Sequence, residues 1–234
     1  IGYYWGSVWR SVKLLCYNLL IGIPLPLVLA YYLYKKSIGS GFFKIILFLP
    51  SMLSSIVLVT IFRNFVEYAL PVFGEMLGLK IPNDLIFNPQ KSFVVTLCYS
   101  LWLGFGAQII LYTGAMSAIS DSVIEAGALD GANSIREFWS IVVPSVWSTI
   151  VTFVVVTISG TFNNMMHLFD FYGGGASEDI MTLGYYLYKK INSKNTSISE
   201  YPELSAIGLL CTVVTFIVVM IVKRFMEKFG PSEE

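Results

Sequence analysis

Between two long apolar runs the chain reads Ser120-Asp121-Ser122-Val123-Ile124-Glu125-Ala126-Gly127-Ala128-Leu129-Asp130-Gly131-Ala132-Asn133-Ser134-Ile135-Arg136-Glu137-Phe138-Trp139-Ser140-Ile141-Val142-Val143-Pro144. Its local chemistry predicts helix, turn, helix. Ser122 stands three residues before Glu125, and Ser134 three before Glu137, so each pair has capping-box spacing. Asp130-Gly131 is expected to end the first helix, because Gly adopts the left-handed conformation of a helix C-terminus without a Cβ clash. Ile135, Phe138, Trp139 and Val142 then fall on one face of the second helix. Pro144 marks entry into the next apolar run. The stretch is acidic, with Asp121, Glu125, Asp130 and Glu137 against Arg136. These acids can act as caps that suit the helix dipole, or the hairpin can be a docking element that meets a basic surface.

The flanking sequence says what the hairpin connects. Five windows carry no Asp, Glu, Lys or Arg: Leu14 to Tyr34, Ile45 to Phe62, Ser92 to Ser120, Phe138 to Phe169 and Leu204 to Val222. A hydrocarbon core of about 30 Å takes about 20 apolar helical residues, so each window can span once. None shows the strict alternation of a transmembrane β-strand. The expected spans are about 14–34, 45–62, 93–116, 146–166 and 204–222, with 121–145 outside the lipid. Composition agrees: 56% of the 234 residues are hydrophobic and 13% are charged, too little polar surface for a soluble domain. Net charge is zero, which excludes a basic nucleic-acid binder, and the hydrophobicity excludes a disordered chain.

Several features carry less information. Cys16, Cys98 and Cys211 each sit in a window, at spacings that imply neither a disulfide framework nor a metal site. Residues 1 to 13 mix Tyr3, Tyr4, Trp5 and Trp9 with Arg10 and Lys13, a headgroup-layer composition. Pro24, Pro26 and Pro50 lie inside windows and read either as hinges or as fixed bends. Asn64 to Leu79 reads as a helix that Pro71 interrupts. Gly173-Gly174-Gly175 lacks the Lys of a phosphate loop and reads as a flexible turn. Loop charge favours a cytoplasmic location for Lys35–Lys44, the hairpin and the segment from Lys223 onward, but only modestly: the two sides hold seven and eight positive charges.

The hairpin resembles a known family. Glu-Ala-Ala, three residues, Gly, nine residues and Ile-x-Leu-Pro mark the permease subunits of ATP-binding-cassette importers. Here the same spacing reads Glu125-Ala126-Gly127, Gly131 and Ile141-Val142-Val143-Pro144, with Gly127 and Val143 as departures. Asp130-Gly131-Ala132 extends the likeness to the carbohydrate branch, similar to maltose-type and glycerol-3-phosphate-type permeases. The resemblance implies an all-α, polytopic type I importer permease fold in a bacterial inner membrane, with the hairpin cytoplasmic. It implies a second permease subunit, two cytoplasmic ATPase subunits that hold the ATP and Mg, and an extracytoplasmic solute-binding protein. No cofactor, metal site or catalytic residue is expected in this chain. Five spans are one short of the six usual in the family, so a helix is expected to precede Ile1.

Site residues follow from the same likeness. Glu125, Ala126, Gly127, Asp130, Gly131, Ala132, Ile135, Phe138 and Pro144 are expected to couple to the ATPase, with Ile135 and Phe138 docking hydrophobically. The sugar path is expected to use Trp102, Leu103, Gly104 and Gln108 of the third span. From the end of the fourth it would take Thr157, Thr161 and Asn164, which share a face at helical spacing. Small and polar residues of this kind also serve helix–helix packing. Other classes remain open: permeation of a polyol phosphate or polyamine, an ion-driven transporter, or a membrane assembly subunit. An ion-driven transporter would carry intramembrane ionisable groups, and here only His167 lies near a span end.

Overall fold

The computed structural model describes residues 2–36, 38–88, 91–193 and 197–231. Among these the chain is helical, without a strand. In order come α1 (Gly2–Tyr17), α2 (Pro24–Tyr34), α3 (Ser40–Met52), α4 (Ser55–Asn64), α5 (Leu70–Met76) and α6 (Ser92–Ser117). The hairpin follows as α7 (Asp121–Leu129), α8 (Ser134–Glu137) and α9 (Val143–Ser145). Then come α10 (Trp147–Ser159), α11 (Leu168–Tyr172), α12 (Leu183–Ile191) and α13 (Tyr201–Phe229). Four stretches are long and apolar enough to cross a membrane: Tyr4–Tyr34, Ser55–Met76, Ser92–Ser117 and Ile198–Lys228. The pair Ser134–Ser145 and Trp147–Ser159, bent by 70°, makes a fifth if it crosses as one.

Prolines shape these helices in a regular way. Three π-helical turns, Asn18–Gly22, Phe65–Ala69 and Phe138–Val142, each end two residues before a proline: Pro24, Pro71 and Pro144. A proline in a regular α-helix lacks its donor, and its ring strikes the carbonyl four residues back. Those carbonyls belong to Leu20, Glu67 and Ser140, each inside a wide turn. The wider i→i+5 pattern moves the carbonyl aside, so the helix continues. Pro71 therefore does not interrupt its helix as the sequence suggested. Pro50 has no such turn: α3 stops at Met52, Leu53 N–H bonds the Pro50 carbonyl at 3.3 Å, and Ser54 starts α4 from extended backbone. The window 45–62 is thus broken at Leu53–Ser54, and the span-length helix runs on to Met76.

The chain forms two compact units. The first comprises Ile1–Cys16, Pro50–Leu103 and Gly160–Thr212; the second comprises Tyr17–Leu49, Gly104–Ser159 and Val213–Glu234. In the first, Tyr99 is fully buried and edges onto Phe62, Trp102, Phe171 and His167. Polar contacts pin the segment after Gly160. The Leu183 N–H donates to Ser11 Oγ at 2.9 Å, and Arg10 Nε donates to the Met181 carbonyl at 2.8 Å. Tyr185 Oη donates to the Gly173 carbonyl at 2.7 Å, so the triple-glycine turn is tied down rather than loose. Tyr172 donates to the Ile86 carbonyl at 2.6 Å, and burial pushes its phenol up to about 12.

In the second unit, Ile23 and the α2 residues Leu27, Ala30 and Leu33 pack with Ile109, Tyr112 and Met116 of α6. Phe138, Val142, Val146 and Ile150 complete that core. Trp147 Nε1 donates to the Met226 carbonyl at 3.2 Å, which holds the last turns of α13.

Candidate functional site

The hairpin closes as its sequence dictates. Gly131 has φ +78°, and its N–H bonds the Ala128 carbonyl at 3.1 Å. The Ala132 N–H bonds the Gly127 carbonyl at 3.0 Å, and this pair of bonds is a Schellman motif. The caps differ from expectation. Asn133, not Ser134, caps α8, with Oδ1 accepting from the Arg136 N–H at 2.8 Å. Ser120, not Ser122, precedes α7, and the two hydroxyls bond each other at 2.7 Å. Gly127 meets Ile141 closely: a Cβ there would lie 2.5 Å from Ile141 Cδ1. The position where the family motif has its second Ala is thus filled here by a branched side chain from the wide turn Phe138–Val142.

The wide turn at Phe138–Val142 splits the apolar face expected of the second helix. Phe138 and Val142 are buried, and Phe138 packs on Tyr31 with ring centroids 5.0 Å apart. Ile135 and Trp139 are 71% and 64% exposed, and Leu129 is 90% exposed. Glu125, Ala126 and Asp130 are exposed, while Gly127, Ala132 and Pro144 are half-buried. Phe138 therefore faces the core of its own unit, and Ile135 is the member of the expected docking pair that reaches outward. Sequence reasoning missed the contact that seats the hairpin: Lys35 Nζ lies 2.9 and 3.0 Å from the two oxygens of Glu137, which is 7% exposed. Tyr31 Oη adds a bond to the Ser134 carbonyl at 3.0 Å. The clue was there, since Lys35 and Glu137 are the charges that directly border two apolar windows.

The residues expected along a sugar path are distributed between the units. In the first unit, Trp102 stacks on Phe62 at 6.2 Å, and Leu103 packs against the Tyr99 cluster. Thr161 is buried and Asn164 exposed. In the second unit, Gly104, Gln108 and Thr157 are half-buried. Helix α10 stops at Ser159, and the Asn163 and Asn164 N–H groups turn back to the Gly160 carbonyl. Thr161 and Asn164 therefore do not continue the helical face of Thr157. Asn164 Oδ1 accepts from the Met166 N–H at 2.8 Å, which supports the left-handed pair Met166 and His167. His167 Nδ1 sits 3.0 Å from Asp170 Oδ2.

On α6 a further pattern emerges. Ser100, Gly104, Gln108 and Tyr112 recur every four residues, within one broad face. Ser100 Oγ, Gln108 Oε1 and Tyr112 Oη are buried and have no hydrogen-bond partner among the described residues. Buried polar atoms are nearly always paired, so each of these three atoms calls for water or a ligand of its own unit. The four-residue spacing was the signal by which Ser100 and Tyr112 could have been found.

An all-helical, multi-pass chain whose helical hairpin projects an acidic and apolar surface has the form of an importer permease. The chain belongs to the family described as binding-protein-dependent transport system inner membrane component, which matches residues 22–232. It is similar to the multiple sugar-binding transport system permease protein MsmF of Streptococcus mutans serotype c, 27% identical over 213 residues, covering 90% of this chain and 72% of that protein. It is also similar to the arabinooligosaccharides transport system permease protein AraP of Bacillus subtilis, 27% identical over 239 residues, covering 97% and 72%. Its fold matches a chain of a bacterial transporter involved in the import of the acidic polysaccharide alginate. That match has a TM-score of 0.83 at 18% identity and covers 98% of this chain and 80% of the other.

Proposed function

We propose that this chain is the permease subunit of an ATP-driven carbohydrate importer, taking an oligosaccharide or sugar derivative, and that residues 121–145 are its cytoplasmic coupling loop. One observation carries the reading: the family's Glu–Gly–Pro spacing lies on a hairpin that exposes Glu125, Leu129, Ile135 and Trp139 and is seated from behind by Lys35–Glu137. Glu125 pairs with an Arg or Lys of a cytoplasmic ATPase subunit, where a charge-assisted bond is strongest. Leu129 and Ile135 enter its groove. The complex holds two such ATPases, which bind ATP and Mg, and a second permease, identical or related. An extracytoplasmic binding protein delivers the sugar. The family description supports the last partner, and the names of MsmF and AraP support the substrate class.

The sugar path uses α6 residues Trp102, Leu103, Gly104 and Gln108, with Thr157, Thr161 and Asn164 from α10 and the turn beyond it. The unpartnered Gln108 Oε1 supports this best. The test of coupling is Gly131→Asp. Asp tolerates the left-handed region for about 1 kcal/mol, so the protein stays inserted while its docking surface gains a charge. Reconstituted vesicles should lose most ATP-dependent uptake. Unchanged uptake and unchanged assembly with the ATPase would sink the coupling reading.

A further inference from the structure

A pocket of about 620 Å³ in the second unit lies between α3 and the α2 and α6 helices. Its walls are graded. On α3, Ser40, Gly41 and Lys44 line one end and Phe48 lies one turn deeper, about 6 Å along the helix axis. On α6, Ser117 and Thr113 give way to Ile110 and Ile109 over two turns. Polar residues thus concentrate toward the Ser40 end of α3 and the Ser117 end of α6, where Leu33, Tyr34 and Ile119 also line the pocket. Lys36 and Lys44 both line the polar end with Asp121, and neither ammonium has an ion-pair partner among the described residues. Glycine keeps the space open: a Cβ at Gly41 or Gly114 would meet nothing within 4 Å. The outer surface of α3 is apolar, with Phe42, Ile45, Leu49 and Met52 all more than half exposed. The pocket is therefore bounded by a helix whose remaining faces suit lipid.

We propose that this pocket binds one glycerophospholipid with an anionic headgroup, its phosphate between Lys36 and Lys44 and an acyl chain along Phe48, Ile109 and Ile110. Neither end alone explains the lining. A soluble phosphate would leave Phe48 and Ile110 bare, and a plain hydrocarbon would leave two ammonium groups beside it. Basic pockets between transmembrane helices are suited to anionic headgroups. A bound lipid would wedge α3 away from α6 and set the spacing of the helices that lead into the hairpin.

The full chain in detergent, examined by native mass spectrometry, tests this with dioleoyl-phosphatidylglycerol and dioleoyl-phosphatidylcholine as probes. Each ammonium near a headgroup is worth about fivefold, so the wild type should retain phosphatidylglycerol on the order of 25-fold better. Lys36→Gln with Lys44→Gln should bring the two lipids level, and Lys36→Arg with Lys44→Arg should keep the preference. Gly114→Leu, which fills the pocket, should release both lipids. Equal retention by the wild type, or a preference that survives the glutamine pair, overturns the proposal. Displacement of the lipid by equimolar glycerol 1-phosphate would also overturn it, because the headgroup alone would then suffice. Should the glutamine pair fail to fold, the wild-type competition decides.

Discussion

Glu137 shows how one side chain fixes the position of a larger feature. A carboxylate at 7% exposure has lost most of its water and needs matched donors. Both its oxygens face Lys35 Nζ. Removing one partner of such a pair costs more than the pair contributes, because the other charge is left stranded. Lys35→Met should therefore destabilise the protein by about 3 kcal/mol, read in thermal unfolding of the detergent-solubilised chain. Adding Glu137→Gln should recover much of that loss. If the double variant is no better than the single one, the pair is not what seats the hairpin. This contact was hidden in the sequence because Glu137 also satisfies capping-box spacing after Ser134. Local chemistry gave it a sufficient role, and only a partner 102 residues away revealed a different one. Gly131 is the opposite case. Its left-handed conformation is a local need, so Asp130-Gly131 announced it directly.

At the scale of elements, helix ends and interruptions decide what the hairpin presents. The cap of α8 is Asn133, whose Oδ1 takes the Arg136 N–H. Asn133→Ala should cost about 1 kcal/mol, while Ser122→Ala and Ser134→Ala should cost only a few tenths. Thermal unfolding of the three variants checks the order, and equal losses would show that the serines cap after all. The charge-free windows made the apolar helices legible, and the Asp130-Gly131 pair made the hairpin legible. The wide turns were not. A heptad-like reading put Ile135, Phe138, Trp139 and Val142 on one face, but the π turn begins at Phe138 and divides them into two buried and two exposed residues. The same blindness made Pro71 look like an interruption. At Gly160 the error ran the other way: the apolar run continued past the point where backbone turns ended the helix, so Thr161 and Asn164 were credited with a helical face they do not have.

For the whole molecule, charge placement and apolar exposure agree on the solvent. None of the most apolar window of Ile198–Lys228 is buried within the chain, and in water that surface would aggregate. The three cysteines give a direct readout, since Cys16, Cys98 and Cys211 all lie in the apolar windows. A water-soluble reagent does not enter the water-free hydrocarbon around them. In intact membranes, a water-soluble maleimide should leave all three unmodified, while the same reagent after SDS solubilisation should label all three. Labelling of Cys98 in the intact membrane would show water reaching that part of α6. The proline-linked wide turns have a further consequence on this scale. Each holds one residue more than a regular turn, which makes it the structural form of a single-residue insertion. Any residue-for-residue matching of this chain to a straight-helix protein must open a gap before Pro24, Pro71 and Pro144. Without that gap, every position beyond it is read about 100° around the helix from its true direction.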